Sequence, residues 1–108
     1  MVTSPTELDA ALLEFAALLE AGIRIEALVL FGSHAKGVAQ EDSDIDVAVI
    51  SPDFEGLSLH QRQMKIAKLS VIRPRDISPV GYPSSQYHNP EPQSFLEEIV
   101  RTGKVVYP

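Results

Sequence analysis

The chain has 108 residues, 44% of them apolar and 22% charged, with 15 acids against 9 bases, a net charge of −6 and no cysteine. This is the composition of a globular chain of about one ordinary domain, and one domain spanning residues 1–108 is expected. Disulfides, zinc ribbons, iron–sulfur clusters and thiol catalysis are excluded, and so acidic a chain does not hold free nucleic acid strongly by counterion release.

Met1 to Glu7 has neither a cationic flank nor a long apolar run, and no stretch approaches the roughly 18 apolar residues of a membrane span. A cytoplasmic protein without membrane contact is the expectation. Ser4-Pro5-Thr6-Glu7 reads as a helix start, with a capping serine, proline at the first helical position and a glutamate closing a capping box. Leu8, Leu12, Phe15 and Leu19 recur at helical spacing, and Gly22 is the expected C-terminal cap. Ile25 to Phe31 is a continuous apolar run, the pattern of a strand buried on both faces. Gly32 to Asp42 is a polar turn region with a short helix from Ser33, and Asp44 to Ile50 is a second strand broken by Ser51-Pro52-Asp53.

Leu57 to Val71 reads as a helix with Met64, Ala67 and Val71 on its apolar face. Arg75 to Val80 is a third strand, placed at a sheet edge or ended early by Pro79. Tyr82 to Ser94, with three prolines among polar residues, has the composition of a linker. Ser94-Phe95-Leu96-Glu97 is a second capping box, opening a helix that stops at Gly103, and Lys104 to Tyr107 forms a last strand. The order predicts an α/β (α+β) domain with a small sheet flanked by helices.

Asp44 and Asp46 carry the chemistry. Residues i and i+2 of a strand project to one side, so both carboxylates share a face with Cα atoms roughly 6.6 Å apart, while Ile45, Val47 and Val49 take the other face. Ala48 and Ile50 continue the carboxylate face as apolar core. Two carboxylates so close repel unless a cation or proton lies between them, and a hard divalent cation is the simplest resolution. The bland alternative is two solvated acids at a strand entrance.

The neighbouring segment weighs against the bland reading. Phe31-Gly32-Ser33-His34-Ala35-Lys36-Gly37 directly follows a buried strand. Gly32 permits a tight turn, a helix opening at Ser33 turns unpaired N–H groups toward an anion, Lys36 adds a positive charge, and Gly37 lets the chain leave. A phosphate cradle next to a cation-binding pair suits a nucleoside triphosphate with magnesium. Three rival motifs fail. Asp42, Asp44, Asp46 and Asp53 sit at positions 1, 3, 5 and 12 of an EF-hand loop, but Val47 stands where that loop needs glycine. Gly32 and Gly37 have P-loop spacing without the following lysine, and Ser33-x-x-Lys36 lacks the rest of a penicillin-binding signature.

Leu30 to Val49 resembles the signature of the DNA polymerase β-like nucleotidyltransferase superfamily: Gly32-Ser33, then Gly37, then Ser43-Asp44-Ile45-Asp46. The nearest resemblance is to the small minimal nucleotidyltransferases paired with HEPN proteins. It implies a mixed sheet flanked by helices. It also implies nucleotide binding by Gly32, Ser33, Lys36, Gly37 and Ser43, and two magnesium ions held by the catalytic carboxylates Asp44, Asp46 and a third on a later strand. Asp76 stands at that place in the element order and is the only acid between Glu55 and Glu91. Many relatives carry arginine where this chain has Lys36, which keeps the charge without the bidentate fork.

The implied reaction is transfer of a nucleoside monophosphate, AMP from ATP, to a hydroxyl acceptor with release of pyrophosphate. The implied partner is a HEPN-type toxin to which this chain is the antitoxin. The alternatives are a non-catalytic module that neutralises a partner by contact, and homo-oligomeric scaffolding. His34 lies in the cradle, within reach of a phosphate or base, whereas His60 and His88 read as surface residues. Arg62, Lys65, Lys68, Arg73 and Arg75 form an acid-free basic segment, read as a solvated helix face or a contact for triphosphate or partner. Tyr82 and Tyr87 read as loop anchors, base-stacking groups or modification acceptors.

Overall fold

A computed structural model describes residues 5–37, 44–72 and 76–108. Its elements in chain order are α1 (Pro5–Glu20), β1 (Ala27–Phe31), α2 (Gly32–Lys36), β2 (Ile45–Ser51), α3 (Leu59–Leu69), β3 (Ile77–Pro83), α4 (Ser84–His88), α5 (Phe95–Thr102) and β4 (Lys104–Tyr107). The strands form one mixed sheet in the order β3-β2-β1-β4, with β1 antiparallel to β2 and β4, and β2 parallel to β3. This is the α/β architecture the element order predicts.

Period-two alternation on the central strands gives each sheet face its own core. One face carries Leu28, Leu30, Ile45, Val47, Val49 and Ile77, covered by Leu12, Phe15 and Leu19 of α1 and Ile66 of α3. The other carries Ala27, Val29, Ala48 and Ile50, covered by Leu96 and Ile99 of α5. Asp46 belongs by parity to this second face, beyond its apolar part.

Several elements differ from the sequence-based expectation. Gly22 is not left-handed; α1 closes through the N–H groups of Gly22 and Ile23 on the Leu19 carbonyl. The apolar face expected for α3 is wrong: Met64, Ala67 and Val71 are exposed, while Arg62 and Ile66 are buried. Arg62 hides the pattern because its guanidinium donates to the carbonyls of Gly81 (2.8 Å) and Leu57 (2.7 Å), so a charged residue sits on the inner face with its donors used.

Pro79 lies in an edge strand, as expected, without ending it. Gln63 of α3 covers that edge, donating to the Pro79 carbonyl (2.9 Å) and accepting from the Gly81 N–H (2.8 Å). The stretch read as a linker contains α4, fixed at its start by Glu55, whose carboxylate accepts from both the N–H and the hydroxyl of Ser85. At α5, Ser94 caps the Glu97 N–H, but the Glu97 carboxylate accepts from the Gln93 N–H instead of completing the box. Among the described residues no helix is long and apolar enough to cross a membrane.

Candidate active site at the sheet end

The end of β1 and the start of β2 are cross-strand neighbours: Phe31 pairs with Asp46. Gly32 therefore follows β1 right beside the Asp46 side chain. Gly32 has φ +72°, and a Cβ added there would land on Asp46 Oδ2 and approach its Cγ at 3.2 Å. Glycine is required twice over at this position, by the left-handed backbone and by the carboxylate occupying its side-chain space.

α2 starts directly at Gly32, and Phe31, the residue before it, has no side chain able to cap the first turn. Ser33 and His34 are half-buried on this turn, and Lys36 is exposed at its end. Gly37 closes α2 in left-handed conformation (φ 72°, ψ 18°), its N–H on the carbonyls of Ser33 and His34. The chain does leave at Gly37 as its sequence suggests. Ser43 lies outside the described residues, as do Arg73 and Arg75 of the basic segment and Asp42 of the rejected EF-hand reading.

Asp44 is exposed and Asp46 half-buried. Burial, and next the negative charge of Asp44, push the Asp46 carboxyl above the ordinary carboxylate range, with His34 pulling the other way. The fold thus holds two acids in mutual repulsion beside a turn rich in N–H donors. His34, which the sequence sets in the cradle, lies close enough to Asp46 to act on its charge.

Asp76 immediately precedes β3, as Asp44 immediately precedes β2, and the parallel register pairs Ile45 with Ile77. The Ile45 N–H donates to the Asp76 carbonyl at 2.5 Å. The backbone therefore brings all three acids to one end of the sheet. Their side chains are another matter. Asp76 has φ +70°, so strand alternation does not extend to it, and among the described residues no group of three or more His, Cys, Asp or Glu is arranged to hold a metal ion. Asp44 and Asp46 fit a hard divalent cation by their oxygen donors and their mutual repulsion. The third acid is adjacent along the sheet end through its backbone.

A nucleotidyltransferase domain model matches residues 12–102. A Methanocaldococcus jannaschii protein named as a candidate protein adenylyltransferase is 31% identical over 81 residues, covering 74% of this chain and 77% of that one. The fold is also that of a candidate nucleotidyltransferase from Sulfolobus solfataricus, with a TM-score of 0.70 at 15% identity over 93% of this chain and 79% of that one. A toxin–antitoxin structure with AMP-PNP superimposes with a TM-score of 0.57 at 24% identity, over 92% of this chain and 72% of that one. The sheet end built from Gly32, Asp44 and Asp46 lies inside the matched span, and the chain belongs to the nucleotidyltransferase domain family.

Proposed function

We propose that this protein transfers a nucleoside monophosphate, AMP from ATP, to a hydroxyl on a partner protein of the HEPN toxin type. The observation that carries the reading is the Asp46 carboxylate packed over Gly32 at the start of the α2 turn, within a nucleotidyltransferase domain. The candidate adenylyltransferase relative supports AMP as the transferred group, and the toxin–antitoxin neighbour with AMP-PNP supports a nucleotide and a protein partner.

In this reading the β- and γ-phosphates lie at Gly32 and Ser33, where an anion meets backbone N–H groups at the start of α2 and the Lys36 charge, with Gly37 shaping the turn and Ser43 leading into the acid pair. Asp44 and Asp46 are the proposed magnesium ligands, with Asp76 as the third carboxylate serving a second ion or taking the acceptor proton. Magnesium bound there supplies charge neutralisation on the phosphates and a lowered pKa for the acceptor hydroxyl. The protein's own contribution is positioning: the tight Gly32 turn sets the start of α2 directly beside the Asp46 carboxylate, and the buried strands behind it hold both fixed. The bond formed joins the acceptor oxygen to the α-phosphorus, the bond broken joins that phosphorus to the bridging oxygen, and pyrophosphate leaves.

Incubating the purified chain and the product of its neighbouring gene with α-labelled ATP and magnesium tests this. Label on the partner with pyrophosphate release, both lost in the Asp44→Asn/Asp46→Asn double variant, is the expected result. Absence of transfer with every nucleotide and partner overturns it. A second reading, neutralisation of a partner by contact alone, draws on the finding that no three acids or histidines among the described residues are arranged to hold a metal ion. It predicts that the double variant protects against the partner as well as the unaltered chain does.

A further inference from the structure

α3 carries apolar side chains on the side turned away from the core. Met64 is 46% exposed, and Val71 and Ile72, in the turn just past the helix, are 79% and 85% exposed. Large apolar groups collected on a surface mark a place where another molecule docks. Lys65 stands beside Met64 and Lys68 one helical turn on, both exposed. α3 holds three bases and no acid, and its third base, Arg62, is buried with its donors used. The outer side of α3 is therefore apolar and positive in a chain of net charge −6.

α1 is its opposite. It holds four acids, Glu7, Asp9, Glu14 and Glu20, and no base. Its outer side centres on Leu13, 58% exposed, with Asp9 and Glu14 exposed on either flank. α1 and α3 cover the same sheet face, the one carrying Leu28, Val47 and Ile77, and they meet where the Leu69 side chain lies against Gly22. Within one chain both outer sides face solvent, so neither covers the other.

We propose that the outer side of α3 receives the outer side of α1 from a second copy of this chain, both contacts forming together in a closed two-fold dimer. Because both helices lie over one sheet face, a two-fold axis through that layer sets α1 on the partner's α3 and α3 on the partner's α1 at once. Leu13 meets Met64 and Val71 at the centre, and Asp9 and Glu14 face Lys65 and Lys68 at the rim. Charge selects this pairing over the like ones, since α1 on α1 sets acid against acid and α3 on α3 sets base against base. The opposite sheet face stays open in such a dimer, with Asp46 at its end and a cleft of about 490 Å³ lined by Tyr82 and Phe95. The inference is independent of the nucleotidyl-transfer reading.

The test is sedimentation equilibrium of the unaltered chain, of Lys65→Glu/Lys68→Glu, of Asp9→Lys/Glu14→Lys, and of an equal mixture of the two variants. The unaltered chain is expected to be a dimer whose dissociation constant rises with sodium chloride. Each variant alone places like charges across both contacts, and its dimer is expected to weaken about 100-fold or more. The mixture is expected to recover a dimer, because one variant then has two acidic outer sides and the other two basic ones. A monomeric unaltered chain at every soluble concentration overturns the proposal and leaves α3 to a different, acidic partner. A dimer that both variants keep overturns it by placing the interface elsewhere, and variants that stay monomeric when mixed overturn the pairing of α1 with α3. Thermal melts check that the variants fold. Met64→Ser, a neutral change at an exposed position, serves where a reversed helix does not: it is expected to weaken the dimer about 5-fold or more, and unchanged affinity overturns the contact.

Discussion

At Asp46, burial and the Asp44 charge both oppose ionisation, so the native state holds that proton more tightly than the unfolded chain does. A carboxyl raised in this way contributes negatively once ionised: stability falls as pH climbs from the ordinary value of 3.8 through the raised one, and the cost persists at neutral pH. Asp46→Asn is therefore expected to raise the melting temperature at pH 7 in chelator, by a small increment because solvent screens a carboxyl that is only half-buried. The same variant is expected to lose transfer activity by on the order of 10²–10³-fold, the scale for removing one preorganised charge-stabilising group. A melt showing Asp46→Asn less stable than the unaltered chain contradicts the assignment of that carboxylate as a strained site group. Gly32→Ala tests the adjoining residue. A side chain in the left-handed region costs about 1–2 kcal/mol, and here it also evicts the Asp46 carboxylate, so denaturant midpoint and activity fall together.

Among the elements, α3 shows how a buried charge serves docking instead of catalysis. Arg62 spans two carbonyls, of Gly81 in β3 and of Leu57 before α3, and Gln63 closes two more backbone groups of the same edge strand. Arg62→Lys keeps the charge but cannot present the same fork, leaving a buried carbonyl unmatched at a cost of about 1–3 kcal/mol. Urea unfolding of this variant is expected to show a lower midpoint with an unchanged slope, since the exposed area on unfolding is the same. The helix itself begins cleanly because Ser58 and Gln61 exchange side-chain to backbone bonds of 3.1 and 2.8 Å.

Across the whole molecule, two surface carboxylates tie together segments distant in sequence. Asp53 accepts from the Arg24 backbone and guanidinium, joining the turn after β2 to the α1–β1 connection, and Glu55 joins the same turn to α4. Hydrogen bonds from Arg24 hold the Asp53 carboxyl below its ordinary value, and those from Ser85 do the same for Glu55. Carboxyls depressed in the folded state stabilise above their unfolded values of 3.8 and 4.5, and that contribution disappears as pH falls through the lower folded values. Melting temperature is thus expected to drop below about pH 4.5, less steeply in Asp53→Asn. The core under α1 sets the overall scale. Phe15 is fully buried, and Phe15→Ala is expected to cost about 3–5 kcal/mol, a large share of the roughly 5–15 kcal/mol total of a small domain.

The order of strands and helices was legible from the sequence because hydrophobic period, caps and breakers are local: the Ile25–Phe31 run, the Ser94 cap and the Ser51-Pro52 break each announce an element within a few residues. The Gly32-Ser33 and Asp44-x-Asp46 pairs were legible for the same reason, since strand alternation alone sets two acids on one face. Non-local contacts hid the rest. The inner face of α3 was misread because Arg62 is buried by carbonyls of other segments, and α4 was missed because its start is held by Glu55, 30 residues earlier. The sequence by itself determined that a glycine turn and an acid pair follow one another between two buried strands. Tertiary structure alone decided that β1 and β2 pair so as to lay Asp46 over Gly32, that parallel pairing of β2 and β3 brings Asp76 to the same sheet end in a left-handed backbone, and that α4 and α5 open a cleft on the same face. Register, backbone handedness at one residue and helix placement depend on contacts across the chain, which no local pattern encodes.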